Sequence, residues 1–83
     1  MNLYLLSQGD NRGYDTYDSC VVCAKSEDEA RLMRPNWEPT NTSWENGNWH
    51  DWAEKPENVR VTLIGRAVRT LPKSVICYSF NAG

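Results

Sequence analysis

Apolar positions along the chain fall into four short runs separated by turn formers. Residues 3–6 (Leu-Tyr-Leu-Leu) end at a segment containing Gly9, Asp10, Asn11 and Gly13, which predicts a first strand. Residues 19–24 (Ser-Cys-Val-Val-Cys-Ala) are dense in β-branched and small apolar side chains and predict a second strand covered on both faces. The intervening stretch is too long for a two-residue turn and rich in Asp and Tyr, so the pair is expected as a wide hairpin with an ordered surface loop. At Ser26 the pattern changes. Ser26 and Glu29 have the spacing of a capping box, three acids fill the first turn, Arg31 and Arg34 follow, and Pro35 stops the helix after barely two turns. Residues 36–58 show neither helical nor strand periodicity and hold all four tryptophans, which predicts a long Trp-rich loop. Residues 59–68 alternate as a third strand whose register loosens near Gly65, and residues 75–80 alternate as a fourth, expected to pair with the third as a hairpin.

The expected architecture is therefore α+β, in the order β-β-α-β-β, with a four-stranded, mostly antiparallel sheet and one short helix. Strands two and four carry apolar groups on both faces, while a two-turn helix shields only part of one. The second face needs a cover: the Trp-rich loop folding back, a second copy of the chain, or a partner protein.

Length and composition narrow the class. Eighty-three residues make a single domain, 1–83, and 40% apolar with 24% charged residues places it among folded chains rather than disordered ones. The longest apolar run, residues 20–24, is far short of the roughly 18 residues a membrane helix needs. The first residues lack the basic segment of a secretory signal, so a cytoplasmic protein without membrane contact is expected. Charge is uneven: residues 1–58 hold 11 acids and 5 bases, and the rest hold Arg60, Arg66, Arg69 and Lys73 with no acid. The net charge of −2 argues against a general nucleic-acid binder. These four cations are read first as guards of an edge strand and second as phosphate contacts.

Candidate chemistry is sparse. Cys20 and Cys23 have CxxC spacing, but in a strand residues three apart point to opposite faces, and Cys77 with His50 does not complete a second closely spaced pair. An odd cysteine count suits reduced thiols. His50 beside Asp51 lacks a nucleophile in a catalytic signature, and Asp10, Asp15 and Asp18 fail the calcium-loop pattern, with Arg12 where an oxygen belongs. No metal, cofactor or enzymatic activity is expected. The tryptophans at 37, 44, 49 and 52 are expected to divide between the core and a recognition surface.

The strings YLLSQ, GYDTYDS followed by VV, SEDEAR and the terminal SFNAG together resemble a family of small proteins carried by phages and prophages. That family has no established reaction or cofactor to transfer, and its members fit Ala at the positions of Cys20 and Cys23. The resemblance implies a protein that binds host machinery, including defence complexes such as CRISPR effectors. The leading expectation is thus a non-enzymatic, phage-derived accessory protein that docks a host or phage protein in the manner of an anti-CRISPR inhibitor, with a homodimer left open. Its expected contact residues are Tyr14, Asp15, Tyr17, Trp44, Trp49 and Trp52, the aromatics as anchors and the carboxylate orienting a basic partner. The alternative is a nucleic-acid or nucleotide-phosphate binding module using Arg60, Arg66, Arg69 and Lys73 on a basic C-terminal hairpin.

Overall fold

The structure is a computed structural model and describes residues 1–40, 44 and 51–81. It contains a four-stranded antiparallel sheet and one short helix. The elements are β1 (Asn2–Ser7), β2 (Thr16–Ala24), α1 (Glu27–Arg31), a single 3-10 turn at Pro56–Asn58, β3 (Arg60–Arg66) and β4 (Ser74–Asn81).

In space the strands run β3-β1-β2-β4. The expected β1–β2 hairpin forms, pairing Leu6 with Cys20 and Leu3 with Cys23. The expected β3–β4 hairpin does not, because β3 pairs β1 and β4 pairs β2, at opposite edges. Two-to-five-residue loops make hairpins, whereas residues 67–73 must cross three strand spacings, about 14 Å, to reach the far edge. The crossing is pinned on the way. The Ala67 N–H donates to the Met1 carbonyl at 3.1 Å, and the Leu71 carbonyl lies 3.8 Å from the Cys23 sulfur.

The register sorts side chains into rows. On the covered face, Val61, Leu6, Cys20 and Tyr78 form one row and Leu63, Tyr4, Val22 and Val75 another. On the opposite face, Thr62, Leu5, Val21 and Cys77 make a row, flanked by the polar row Arg60, Ser7, Ser19 and Ser79. Tyr4, Leu6, Cys20, Val22 and Ala24 are buried, while Leu3, Leu5 and Val21 are only half-buried. The main buried cluster therefore lies on one side, and on the opposite face Cys23 is buried beneath Met1 and Leu71. Three bulges adjust this pattern: Ile64 is extra in β3 beside Gly65, Asp18 is extra in β2, and Ile76 is extra in β4.

The helix forms where the capping signal predicts it. Ser26 Oγ accepts the Glu29 N–H at 3.2 Å, and the Glu29 carboxylate accepts the Lys25 N–H at 3.2 Å, one residue earlier than the usual reciprocal bond. Leu32 already closes it as C-cap, so α1 is a turn shorter than the run to Pro35 suggests. Five residues cannot roof a sheet. α1 lies across β1, β2 and β3, and the remaining cover is Met33, Trp52, Ala53 and Val59, gathered with Ala30 into one buried cluster.

Trp52 is the largest fully buried side chain. Its segment is tied to the β1–β2 loop: Asn11 Nδ2 donates to the Trp52 carbonyl, and the Tyr17 N–H donates to the Asp51 carbonyl at 2.8 Å. Trp37, Trp44 and Trp52 thus reinforce the face that α1 already covers rather than closing the other one. Truncating a buried tryptophan removes its packing and leaves a cavity, so Trp52→Ala is expected to cost about 3–5 kcal/mol of unfolding free energy. Urea denaturation followed by circular dichroism measures this, with Trp52→Phe expected to fall between the variant and the parent.

Candidate protein-docking surface

The β1–β2 loop is held by its own polar groups. Gln8 Nε2 donates to the carbonyls of Asn11 and Tyr17 at 2.6 and 2.8 Å, and Gln8 Oε1 accepts the Asn11 N–H at 2.9 Å. Asp10 Oδ2 accepts from the Glu54 N–H and from Asn58 Nδ2, and the Asn58 bond is the main reason its carboxyl lies below the usual range. Thr16 Oγ1 and Asn81 Nδ2 both donate to the Gly13 carbonyl. Asp15 turns the chain into β2 with φ 59°, a left-handed conformation that Asp and Asn tolerate better than most residues. This frame leaves Tyr14 at the loop tip, 78% exposed.

The loop ends against β4, where the Asp15 N–H donates to the Asn81 carbonyl at 2.6 Å. Tyr17 packs its ring edge-on to Tyr78 at 5.1 Å between centroids and tilted against Phe80 at 4.7 Å. Beyond the reach of α1, Tyr78 and Phe80 remain 58% and 42% exposed, and Ile76 is exposed beside them. Tyr14, Asp15 and Tyr17 therefore share one end of the β4 edge, joined by Tyr78, Phe80 and Ile76. Those three went unmarked in the sequence because an expected hairpin would have turned β4 inward against β3.

The other expected contact residues lie elsewhere. Trp52 is core, which removes it from any binding surface. Trp44 is half-buried over the C-terminal end of α1, its indole N–H donating to the Leu32 carbonyl at 2.8 Å and its ring 5.9 Å from the Arg34 guanidinium. Trp49 lies outside the described residues, as does His50. Trp37 is half-buried beneath Lys73, whose ammonium sits 4.9 Å from the ring centroid and 3.8 Å from Glu29.

Of the four C-terminal cations, Arg60, Arg66 and Lys73 lie apart from one another. Arg60 lies opposite Ser7 and Arg66 opposite Asn2, at the two ends of β3 and about 20 Å apart along the strand. Lys73 is committed to Glu29 and Trp37 at the other edge of the sheet. The basic C-terminal hairpin therefore does not exist as a unit. Arg60 instead lines a polar cavity of about 370 Å³ with Ser7, Gln8, Gly9, Arg12 and Asn58.

Cys20 and Cys23 point to opposite faces, as the strand period requires. Cys20 is within the covered core, and the Cys23 sulfur contacts Met1 Sδ and the Leu71 carbonyl, each at 3.8 Å. The pair cannot close on a single ion or a shared disulfide without breaking β2. Burial, followed by the nearby Cys77, pushes the Cys20 thiol up to about 12. In the unfolded chain that thiol ionises near pH 8.5, so above that point the unfolded state releases a proton the folded state keeps. Stability is expected to fall as pH rises from about 9 toward 12. Tyr17, also raised chiefly by burial, adds a loss of the same sign above its ordinary value of 10. Denaturation midpoints taken from pH 7 to 10 check this, and Cys20→Ala is expected to flatten the decline.

Comparison with known proteins finds no matching family model, no matching curated protein and no matching solved structure, so a functional reading rests on the surfaces described above.

Proposed function

We propose that the protein works by binding another protein, adding an extended segment of that partner to the outer edge of β4, which no described strand pairs. The observation that supports this reading is the edge itself. Ser74–Asn81 is an eight-residue terminal strand without a charge or a proline, which are the devices that normally keep sheet edges from pairing. By contrast β3, the other edge, begins and ends with arginine, while both edge strands carry a bulge. Exposed aromatics at one end of β4 supply anchors of the kind that dominate binding energies, and the backbone supplies hydrogen bonds.

Which edge groups are free follows from one bond. The Asn81 carbonyl faces β2, where Asp15 takes it. Backbone groups alternate along an antiparallel strand, so those of Tyr78 and Phe80 point away from the sheet. Asp15 and Asp18, both exposed beside this end of β4, favour a partner segment carrying Lys or Arg. Together with the resemblance to phage-borne proteins, this supports a cytoplasmic accessory protein that occupies a host complex and blocks its action. The separation of Arg60, Arg66 and Lys73 favours this reading over phosphate recognition.

The test is capture of the partner from host lysate under cross-linking, compared with Tyr14→Ala and Tyr78→Lys. Truncating one aromatic anchor is expected to weaken capture roughly tenfold or more. A lysine on the edge is expected to abolish it. Equal capture by both variants would eliminate this surface.

A further inference from the structure

The polar cavity of about 370 Å³ lies at the end of the β1–β3 pair, where Ser7 stands opposite Arg60. Three segments distant in sequence build it: Ser7 to Gly9 at the end of β1, Arg12 in the loop that follows, and Asn58 with Arg60 at the entrance to β3. Asp10 ties these segments together. Its Oδ2 accepts from Asn58 Nδ2 at 2.8 Å and from the Glu54 N–H at 3.1 Å, so the loop and the 3-10 turn hold one another in place. Arg12 is admitted by its neighbour: a Cβ at Gly9 would lie 3.2 Å from Arg12 Nη2, so the bare Gly9 backbone is what lets the guanidinium sit at the cavity wall.

Polar groups not needed by the fold define what the cavity can hold. Gln8 is spent on the loop, donating to the Asn11 and Tyr17 carbonyls and accepting the Asn11 N–H, and Asn58 Nδ2 is spent on Asp10. Left for a ligand are the two guanidiniums, Asn58 Oδ1 and the Ser7 hydroxyl. The chain has 11 acids and a net charge of −2, yet none of the lining residues is acidic. Among the described residues neither Arg12 nor Arg60 has a carboxylate partner. Two like charges on one cavity repel, and an anion between them removes that cost while using both planar forks.

The rest of the lining selects among anions. It has no aromatic or aliphatic side chain, which disfavours a stacked base or an acyl chain. Its size is at the lower end of small-molecule sites, roughly 300–1,000 Å³. A phosphate monoester carries about −1.5 to −2 at neutral pH and matches two arginines, whereas a carboxylate offsets only one. Hydroxyl groups on the ligand would meet Asn58 Oδ1 and Ser7 Oγ. We propose that this cavity binds the phosphate monoester of a small hydroxylated molecule, a sugar phosphate in chemical class, with Arg12 and Arg60 sharing the phosphate. The site pairs Arg60 with Arg12 rather than with Arg66 or Lys73. It stands apart from the β4 edge and does not rest on the docking reading.

The experiment is isothermal titration calorimetry on the full chain with glucose 6-phosphate. Gluconate, which offers hydroxyls and a carboxylate, and a single-stranded oligonucleotide, which offers phosphate diesters, are titrated beside it. Glucose 6-phosphate is expected to bind saturably and at least about tenfold more tightly than gluconate. Arg12→Gln and Arg60→Gln, both at exposed positions, are each expected to weaken binding about tenfold or more with unchanged circular dichroism. Lysine at either position keeps the charge without the fork and is expected to fall between. Arg66→Gln removes the same charge at the far end of β3 and is expected to leave the affinity as it was. Amide NMR signals of Ser7, Gln8 and Gly9 are expected to shift on titration while those of Tyr78 and Phe80 stay. Absence of saturable binding in the millimolar range overturns the proposal, as does gluconate binding as tightly or an equal loss in Arg66→Gln. An oligonucleotide held more tightly through the same two arginines overturns it in favour of a nucleic-acid backbone.

Discussion

The structure depends on a shortage of cover. A four-stranded sheet needs an apolar layer against it, and among the described residues only five are in α-helix. The deficit on one face is met by Met33, Trp52, Ala53 and Val59, which join Ala30 over Tyr4, Leu6, Cys20 and Val22. Trp52 contributes the most volume, and its segment is held by the Asn11 side chain on the Trp52 carbonyl and the Tyr17 N–H on the Asp51 carbonyl. Removing that indole would loosen the core and the loop together, so the site and the fold share one support.

What remains after this investment shapes the surface. The described elements do not roof the face formed by Thr62, Leu5, Val21 and Cys77, although serines and an arginine border it and make it less apolar than alternation alone suggests. On the covered side, α1 stops short of β4, leaving Tyr78 and Phe80 leaning on Tyr17 and open to water. No helix among the described residues is long and apolar enough to cross a membrane. The two edges of the sheet differ in chemistry: β3 begins and ends with arginine, and β4 carries neither a charge nor a proline.

Local signals in the sequence were strong enough to read locally. The Ser26–Glu29 capping pair marks the start of α1, the alternation of β1 and β2 places Cys20 and Cys23 on opposite faces, and Gly13, Tyr14 and Asp15 mark an ordered exposed loop. The spatial order of strands was not legible, since Val59 to Val68 and Val75 to Phe80 look alike whether they pair with each other or flank the first hairpin. That choice is made by a crossing segment tethered at Ala67 and Leu71, a long-range effect without a local pattern. The same gap hid Tyr78 and Phe80 as exposed residues and gave Trp52 a surface role that its burial precludes. Tryptophan composition signals bulk to be buried, and only the fold decides which side of the sheet receives it.

The account stands most directly on the one-sidedness of the main buried cluster. Footprinting with a diffusible carbene reads it residue by residue, because neighbours along β1 and β2 face opposite ways. The account predicts clearly heavier labelling of Leu5 and Val21 than of Leu6 and Val22. Labelling of Leu5 and Val21 as weak as that of Leu6 and Val22 in a single copy would contradict it.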